Sequence, residues 1–398
     1  MSKSTMKNLL AVLAASALVP VGAQAQKKDP VMVGLVSSKS GTFAQQGEEV
    51  LRAVQFAIDE ANARGGVDGR EVKVQVADDE STPEAGRRVA EKLARDGYNL
   101  LIGAIPSSIS LALAQNLDRW DAAYFTVASK SDKLTGDTCR PRSFRTNHSD
   151  AMDLAMIGEW AKEFKEKSFA VLAADYVWGR DSGESFAKTV KAQGKSVPLS
   201  LYVPLGTKDF APYIAQLKES KVEAVWVAEV GRDAIAFVKQ AQEFGLTPKT
   251  RLIGHALIQN FVVDGTDKAL DGTIGNTAYT PDIATPANKA FVAAWKAKFK
   301  RLPTDNEGQA YNGMLVMFEG VKKANSAKPA EVAKALRGAS IDTLYGQATM
   351  RAQDNQLVLP TYAGRVKVVD GQLRPVVEET FPASLTPAPS PLCKMAAG

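Results

Sequence analysis

The sequence predicts an α/β protein of two lobes, each with a parallel sheet that helices cover on both faces. Three observations support this fold class: short apolar runs alternate with amphipathic helical segments, the alternation restarts after Asn147, and the chain is long enough for two domains. The 398 residues are 45% hydrophobic and 23% charged, which is ordinary for a globular protein. The net charge is only +5, and the basic residues are scattered among acids, so nucleic-acid binding is not expected.

The N-terminus has the pattern of a secretory signal peptide. Lys3 and Lys7 precede an apolar run, and Ala23-Gln24-Ala25 supplies small residues at a cleavage site. The alternative is a membrane helix, but the run has about 13 residues and a span needs roughly 20. We therefore expect residues 1–25 to be a signal peptide that is removed on export.

The first half of the mature chain alternates strand and helix signals. Val31 to Val36 is a nearly continuous apolar run, which is typical of a buried parallel strand. Apolar residues recur at helical spacing from Gly47 to Ala63, and Gly65 and Gly66 end that helix. The further expected elements are a strand at 72–76, a helix at 85–95 that Thr82 caps and Pro83 starts, a strand at 100–103, a helix at 109–118 and a strand at 124–127.

The second half repeats this alternation, which implies a second parallel sheet. The expected helices are 152–164, 183–193, 210–218 and 234–244, and the expected strands are 169–173, 199–203, 224–227 and 251–254. A more helical region follows, with helices at 287–299, 307–324 and 329–336. Strands recur at 358–362 and 365–369, and Asp370-Gly371 forms the turn.

The chain contains two cysteines, Cys139 and Cys393. In an exported protein such a pair is expected to form a disulfide, with two free thiols as the alternative. Neither cysteine has a CxxC partner or a nearby histidine, so no metal site is expected. Residues 376–398, which include three prolines between 384 and 391, are expected to form an extended tail that brings Cys393 back to the body.

Several short motifs occur in a fixed order along the mature chain. They include Val33-Gly34-Leu35 before Ser40-Gly41, Phe56 to Asn62 before Gly65-Gly66-Val67, Asp78-Asp79 before Pro83, Phe144-Arg145-Thr146, Asp175-Tyr176 before Trp178-Gly179, and Gly206 to Phe210. Each motif is weak alone, but together the chain resembles type I periplasmic solute-binding proteins of the leucine/isoleucine/valine-binding class. That class also includes receptors for amides, urea and aromatic acids.

The resemblance implies two Rossmann-like lobes, the type I periplasmic binding protein fold, joined by a hinge of three crossings. The crossings are expected near 144–146, 276–279 and 345–350. Lobe one then comprises residues 29–144 and 278–346, and lobe two comprises residues 147–276 and 350–375. The ligand is expected in the cleft between the lobes, at the carboxyl ends of the strands, where hinge closure traps it.

Lobe one is expected to hold the ligand carboxylate. Ser107 and Ser108 stand where a strand gives way to a helix, and hydroxyl and backbone N–H groups at a helix N-terminus suit an anion. In the family, the serine that matches Ser107 holds the ligand carboxylate, while simple capping of the helix is the alternative. Ser40 and Gln46 are further candidates at the rim of lobe one.

The next loop of lobe one is Ala128-Ser129-Lys130. In the family this loop contributes backbone and hydroxyl groups to the ligand, at the positions of Ala128 and Lys130. Lys130 stands where the amino-acid binders have a hydroxyl residue. Its ammonium group is expected either to pair with an anionic ligand or to point to solvent, as most lysines do.

In lobe two, Tyr176 and Trp178 follow a strand and precede Gly179. In the family, the aromatic residue just before the glycine covers the ligand, and here that residue is Trp178. A flat indole suits an apolar or aromatic ligand body. The alternative is that Trp178 packs against the helix behind it.

Glu229, Val230 and His255 follow two further strands of lobe two and complete the set of candidates. In branched-chain amino-acid receptors an acidic residue near this last place pairs with the ligand ammonium, but this chain has Ala256 there. A buried ammonium without a partner is unfavourable by several kcal/mol. An α-amino acid ligand would therefore need Glu229 as its negative partner.

The resemblance implies a monomeric periplasmic receptor that delivers its ligand to the permease and ATPase of an ABC importer. A small organic acid, aromatic or oxo, is favoured over a branched-chain amino acid. The alternatives are a receptor for branched-chain amino acids or amides, and a periplasmic sensor that feeds a signalling partner. An enzyme is not expected, because the sequence lacks GxGxxG, GxSxG, HExxH and the phosphate-binding GxxxxGK motif, and no cofactor is expected either.

Overall fold

The computed structural model describes residues 28–369 and 371–395. The predicted signal peptide, residues 1–25, and the predicted turn residue Asp370 lie outside these ranges. Within them, no helix is both long and apolar enough to cross a membrane. The predicted fold class is confirmed, because parallel sheets and helices form two lobes.

The first lobe begins with five strands and the three helices between them. The strands are β1 (Val31–Ser37), β2 (Val72–Asp78), β3 (Leu100–Gly103), β4 (Ala123–Thr126) and β5 (Ser143–Arg145), and the helices are α1 (Ala44–Ala63), α2 (Pro83–Arg95) and α3 (Ser107–Ala114). The sheet is parallel, in the order β2-β1-β3-β4-β5. β1 is covered on both faces, since Val33 and Leu35 belong to one apolar cluster and Val36 to another. This double burial explains its continuous apolar run.

The second lobe continues the alternation after β5. Its helices are α4 (Asp150–Trp160), α5 (Val177–Ala192), α6 (Ala211–Ser220), α7 (Gly231–Glu243) and α8 (Asn260–Gly265), and its strands are β6 (Ser168–Ala174), β7 (Ser196–Val203), β8 (Ala224–Ala228), β9 (Arg251–Gly254) and β10 (Ile274–Thr277). These strands are parallel, in the order β10-β9-β8-β6-β7. Leu172 and Val171 of β6 pack into separate clusters on opposite faces, so this sheet is also covered on both sides.

The chain then returns to the first lobe. The helices α9 (Pro286–Phe299), α10 (Asp305–Ala324) and α11 (Pro329–Leu336) precede a small antiparallel sheet of β11 (Ser340–Thr343), β12 (Gly346–Met350) and β13 (Leu357–Val358). α10 packs along α1, where the Tyr311 hydroxyl donates to Glu60 Oε2 at 2.6 Å. Gln356 bridges to Arg145 of β5, so the small sheet adjoins the first lobe.

Two long strands, β14 (Thr361–Val369) and β15 (Gln372–Phe381), complete the sheet of the second lobe. β14 pairs antiparallel with both β10 and β15, which gives a seven-stranded sheet. The third passage between the lobes therefore falls at Leu359 and Pro360, because β12 and β13 still pair within the small sheet.

The C-terminal region differs from the prediction in three respects. The third passage between the lobes lies later than the implied crossing near 345–350. The strand predicted at 358–362 is split at Leu359 and Pro360, and β14 runs without a break through the strand predicted at 365–369. Residues 376–381, which were expected to begin the tail, form the second half of β15, because they pair with β14.

The structure contains the predicted disulfide between Cys139 and Cys393, with their Cα atoms 5.6 Å apart. Cys139 lies between β4 and β5 of the first lobe, whereas Cys393 ends the tail that follows β15 of the second lobe. On the way, Arg351 Nη1 donates to Pro387 O at 2.6 Å, which fixes the tail against the loop between β12 and β13. The disulfide thus attaches the end of the second lobe covalently to the first.

Replacement of Cys139 by Ser should lower the free energy of unfolding by about 5 kcal/mol, because the bridge closes a loop with a sequence separation of 254 residues. Denaturant unfolding of Cys139→Ser, Cys393→Ser and the reduced wild-type protein should give the same loss. Variants as stable as the oxidised wild type would show that the bridge does not stabilise the fold.

Candidate functional site

A cleft lies where the carboxyl ends of the parallel strands of the two lobes face each other. It contains about 410 Å³ of empty space, part of it open to solvent, and its position is the one that open α/β sheets use for ligands. Loops from both lobes line it. The predicted candidates among its lining residues are Gln46, Ser107, Ala128, Lys130, Tyr176, Trp178 and Val230.

The two lobes touch beside this cleft. Gly231 at the start of α7 has a φ of +57°, and a Cβ added to it would lie 2.5 Å from Thr42 O of the first lobe. Asp305 of α10 donates its backbone N–H to Asn260 Oδ1 of the second lobe at 3.2 Å. These contacts join loops of opposite lobes, so the structure has the lobes closed over the cleft.

Ser107 offers hydrogen-bond donors to the cleft. Its Oγ accepts the backbone N–H groups of Lys130 and Ser131, both at 3.2 Å, which leaves the hydroxyl hydrogen free to donate. Pro106 precedes α3, and no acceptor among the described residues takes the backbone N–H of Ser107 or Ser108. Three donors at a helix N-terminus form a suitable environment for a carboxylate.

The neighbouring serines do not line the cleft. The Ser108 side chain is partly buried and points elsewhere, although its backbone N–H belongs to the same helix end. Ser129 is buried, and its Oγ contacts Ser110 Oγ and the carbonyl oxygens of Ala104 and Ile105. These contacts tie the loop after β4 to the loop after β3, so Ser129 holds the cleft in shape from behind.

Lys130 follows neither of its two predicted alternatives. Its side chain is buried, and its ammonium forms an ion pair with Asp153 of α4 in the second lobe. Burial alone would raise the pKa of Asp153, but Lys130 and His255 beside it lower that pKa below its usual range. The positive charge of Lys130 is therefore already balanced by the protein, while its stem lines the cleft.

His255 is part of the same buried network and does not line the cleft. Its Nε2 lies 3.0 Å from Asp153 Oδ2, and its Nδ1 lies 2.7 Å from Ser182 Oγ. Burial lowers the pKa of His255, in spite of Asp153 beside it. Trp178 lines the cleft and packs against His255, with ring centres 5.1 Å apart. His255 was predicted to contact the ligand, but in the structure it supports Trp178 from behind.

Aromatic rings form one side of the cleft. Trp178 is 3% exposed, and its Nε1 donates to Asp150 Oδ1 at 2.8 Å, which fixes the plane of the indole. Tyr176 lies next to it, with the two ring centres 6.0 Å apart. The Tyr176 ring also meets the ring of Phe43 of the first lobe edge to face, with ring centres 6.5 Å apart. Trp178 therefore packs against the second lobe and also lines the cleft, while its contact with a ligand stays a prediction.

Ser40 and Glu229 lie outside the lining of the cleft. Ser40 is exposed, and its Oγ donates to Asp78 Oδ2 at 2.9 Å. Glu229 is 1% exposed, and burial, followed by the charge of Asp233, raises its pKa well above the usual range. Val230 and Ala256 line the cleft instead, so lobe two presents apolar groups where an acid was considered.

Sequence reasoning missed several residues of the cleft. They are Phe43, Ile105, Gln259, Asn306 and Gln309. Ile105 lies two positions before Ser107, Phe43 three positions after Ser40, and Gln259 four positions after His255, so each is close in sequence to a named candidate. Asn306 and Gln309 lie in the first turns of α10, where the capping box of Thr304 and Glu307 marks a helix start and gives no sign of a binding site.

Asn306 connects the cleft to a buried carboxyl group on α1. Its Nδ2 donates to Glu49 Oε2 at 2.7 Å, and Glu49 is 7% exposed. Burial, followed by the charge of Asp305, raises the pKa of Glu49 to about 8. Near neutral pH the folded protein therefore keeps a proton on Glu49 that the unfolded chain releases.

Comparison with known proteins identifies the family. The model of the periplasmic binding protein family matches residues 30–372. The chain therefore belongs to the periplasmic binding proteins, in the type I leucine/isoleucine/valine-binding class of solute receptors of ABC transporters.

Two curated relatives share 28% identity with the chain. One is a Leu/Ile/Val-binding protein of Rhizobium johnstonii, with 87% of this chain and 93% of that protein covered. The other is a leucine-, isoleucine-, valine-, threonine- and alanine-binding protein of Pseudomonas aeruginosa, with 87% and 92% covered. Among solved structures, a solute-binding protein of an ABC transporter from Rhodopseudomonas palustris, in complex with 3,4-dihydroxybenzoic acid, has 26% identity and a TM-score of 0.81. The similarity covers 88% of this chain and 97% of that one.

Lys130→Met should lower the free energy of unfolding by about 3–5 kcal/mol, because Asp153 would keep a buried charge without its partner. The double variant Lys130→Met/Asp153→Asn should recover part of this loss. Lys92→Met, which removes an exposed pair with Asp96, is the control and should change little. Equal unfolding curves for Lys130→Met and Lys92→Met would contradict a supporting role of the buried pair.

Glu49→Gln should change how stability depends on pH. A carboxyl whose pKa rises from 4.5 to about 8 on folding stabilises the protein below pH 4.5 and loses that contribution as the pH rises towards 8. The variant should therefore gain stability relative to the wild type between pH 5 and pH 8, measured by urea unfolding. Glu48 is an exposed neighbour on α1, so the free energy of unfolding of Glu48→Gln should depend on pH as that of the wild type does. The same pH dependence in Glu49→Gln would refute the buried proton.

Proposed function

We propose that this protein is the substrate receptor of an ABC importer for a small organic carboxylate with a flat apolar body, an aromatic or oxo acid. It closes its two lobes around the acid and hands it unchanged to the permease and ATPase at the inner membrane. The observation that carries the proposal is the juxtaposition, in one closed cleft, of the Ser107 donors and the rings of Tyr176 and Trp178.

The carboxylate would bind at the N-terminus of α3. The hydroxyl of Ser107 and two free backbone N–H groups can donate to its oxygens, and the helix dipole favours the negative charge. Lys130 does not need to act as a counter-ion, since Asp153 already balances it. The acid would thus be held mainly by oriented neutral donors.

The body of the ligand would lie against the aromatic side of the cleft. Phe43, Tyr176, Trp178, Val230 and Ala256 present apolar surface to it. An aromatic ring or short oxo acid can fill such a space, and stacking on a fixed indole adds about 0.5–1.5 kcal/mol beyond its buried area. The similar protein from Rhodopseudomonas palustris was solved with an aromatic acid, which supports the same class of ligand here.

A branched-chain amino acid is the second candidate, because the curated relatives are named for such ligands. It requires a negative partner for the ammonium group. Ala256 has no charge, and Glu229 is buried outside the lining of the cleft with a raised pKa. These features favour an acid without an ammonium group.

A thermal-shift screen of the mature protein against aromatic acids, oxo acids, amino acids and amides tests the proposal. A ligand at 100 times its dissociation constant adds roughly 2.7 kcal/mol of stability, which is a clear shift. Aromatic or oxo acids should shift the melting temperature, and leucine and valine should not. Deletion of the gene should abolish uptake of the same acid by whole cells; binding with unchanged uptake would indicate a sensor.

Trp178→Ala should weaken binding of the acid found in this screen by at least about tenfold, because a large contact surface is lost. Trp178→Phe keeps an aromatic face but loses part of the ring surface and the hydrogen bond to Asp150, so its loss should be smaller than that of Trp178→Ala. Isothermal titration calorimetry measures both. Wild-type affinity in Trp178→Ala would remove Trp178 from the binding site.

A further inference from the structure

Two buried amide oxygens of the cleft have no hydrogen-bond donor. Gln46 of α1 and Gln309 of α10 both line the cleft, and they are 3% and 2% exposed. Neither Gln46 Oε1 nor Gln309 Oε1 accepts a hydrogen bond from any described residue. A buried acceptor without a partner is unfavourable, because it has lost its hydrogen bonds to water. A ligand that brings a donor would remove this cost.

The orientation of Gln309 follows from its other hydrogen bond. Its Nε2 donates to the backbone oxygen of Asp305 at 3.3 Å. Rotating the amide would place its oxygen against that carbonyl oxygen, which is repulsive. Gln309 Oε1 therefore remains available as an acceptor, and Gln46, whose amide has no partner within the described chain, can turn its oxygen to the same space.

The donor on the ligand has to be neutral, because no carboxyl group is among the described residues that line the cleft. Behind the lining, Asp150 Oδ2, Glu229 Oε1 and Asp305 Oδ2 lack a donor, but burial raises the pKa of all three groups. Asp153 binds Lys130 and His255, Asp150 accepts from Trp178, and Glu49 accepts from Asn306. Burial and the neighbouring charges of Asp132 and Asp153 also raise the pKa of Asp150 well above its usual range. A ligand ammonium would find no free negative charge here, whereas a hydroxyl group needs only a neutral acceptor.

We propose that the ligand carries at least one hydroxyl group in addition to its carboxylate, and that Gln46 and Gln309 recognise this hydroxyl. The inference rests on the proposed function, and it narrows the ligand class to hydroxylated acids, with a hydroxylated aromatic acid as the best fit. The hydroxyl donates to an amide oxygen while Ser107 holds the carboxylate. Both glutamines are then determinants of specificity, and they distinguish hydroxylated from unsubstituted acids.

Calorimetric titration with three matched probes tests this inference: benzoate, para-hydroxybenzoate and 3,4-dihydroxybenzoate. The wild-type protein should bind at least one hydroxylated probe about tenfold more tightly than benzoate, as expected for a buried hydrogen bond that would otherwise be missing. Gln46→Met and Gln309→Met keep the side-chain length and remove the acceptor. Each should lose about ten times more affinity for the hydroxylated probe than for benzoate.

Gln45→Met is the matched control, because Gln45 is the exposed neighbour of Gln46 on α1 and does not line this cleft. It should bind all three probes as the wild type does. Equal wild-type affinity for benzoate and both hydroxylated probes would overturn the inference and leave the proposed function intact. Equal losses for all probes in the methionine variants would also overturn it.

Two further outcomes separate this inference from the proposed function. Binding of leucine, with no binding of the three probes, would overturn the hydroxyl assignment together with the preference for an aromatic acid. Binding of no carboxylate of any class would overturn the proposed function itself. The wild-type selectivity is informative even if a methionine variant does not fold, and circular dichroism of each variant checks folding.

Discussion

The ion pair between Lys130 and Asp153 joins the two lobes beside the cleft, and much of the site depends on it. Lys130 comes from the loop after β4, and Asp153 from the first helix of the second lobe. Asp153 also binds His255, which contacts Ser182 of α5. Ser182 Oγ in turn accepts from Trp226 Nε1 of β8, in the sheet of the second lobe. Asp150, one turn earlier, fixes the indole of Trp178. The charges thus hold the framework, while uncharged groups and the stem of Lys130 line the cleft.

This separation of charged and uncharged groups follows from the free-energy cost of burying polar groups. Closing the lobes removes water from every polar group in the cleft, so each group needs a partner in the closed state. The protein pairs the buried charge of Lys130 with Asp153, since an isolated buried charge is the most costly case. Neutral donors at Ser107 and neutral acceptors at Gln46 and Gln309 stay without partners among the described residues, and these are the groups that the proposed ligand would satisfy. A ligand that places an acceptor beside the donors and a donor beside the acceptors stabilises the closed state most.

The sequence predicted the parts of the site that follow directly from strand order. Ser107, Ala128 and Trp178 each come directly after a strand that its apolar run identifies, and such loops meet at one edge of a parallel sheet. Gln309 was not predictable, because α10 follows no predicted strand and reaches the cleft only through packing against segments that are distant in sequence. The partner of Lys130 was missed for the same reason, since Asp153 belongs to the other lobe. Pairing of β12 and β13 likewise displaced the third passage between the lobes from its expected place.

The disulfide between Cys139 and Cys393 has a consequence for how the protein matures. The chain contains two cysteines, so within a single molecule there is one possible pairing and no scrambled isomer to correct. Its formation has to wait until residue 393 has crossed the membrane, and until then Cys139 can pair only with thiols of other molecules. The cell therefore needs an oxidant for this protein but no disulfide isomerase, and the error to be expected during overproduction is a covalent dimer rather than a misfolded monomer.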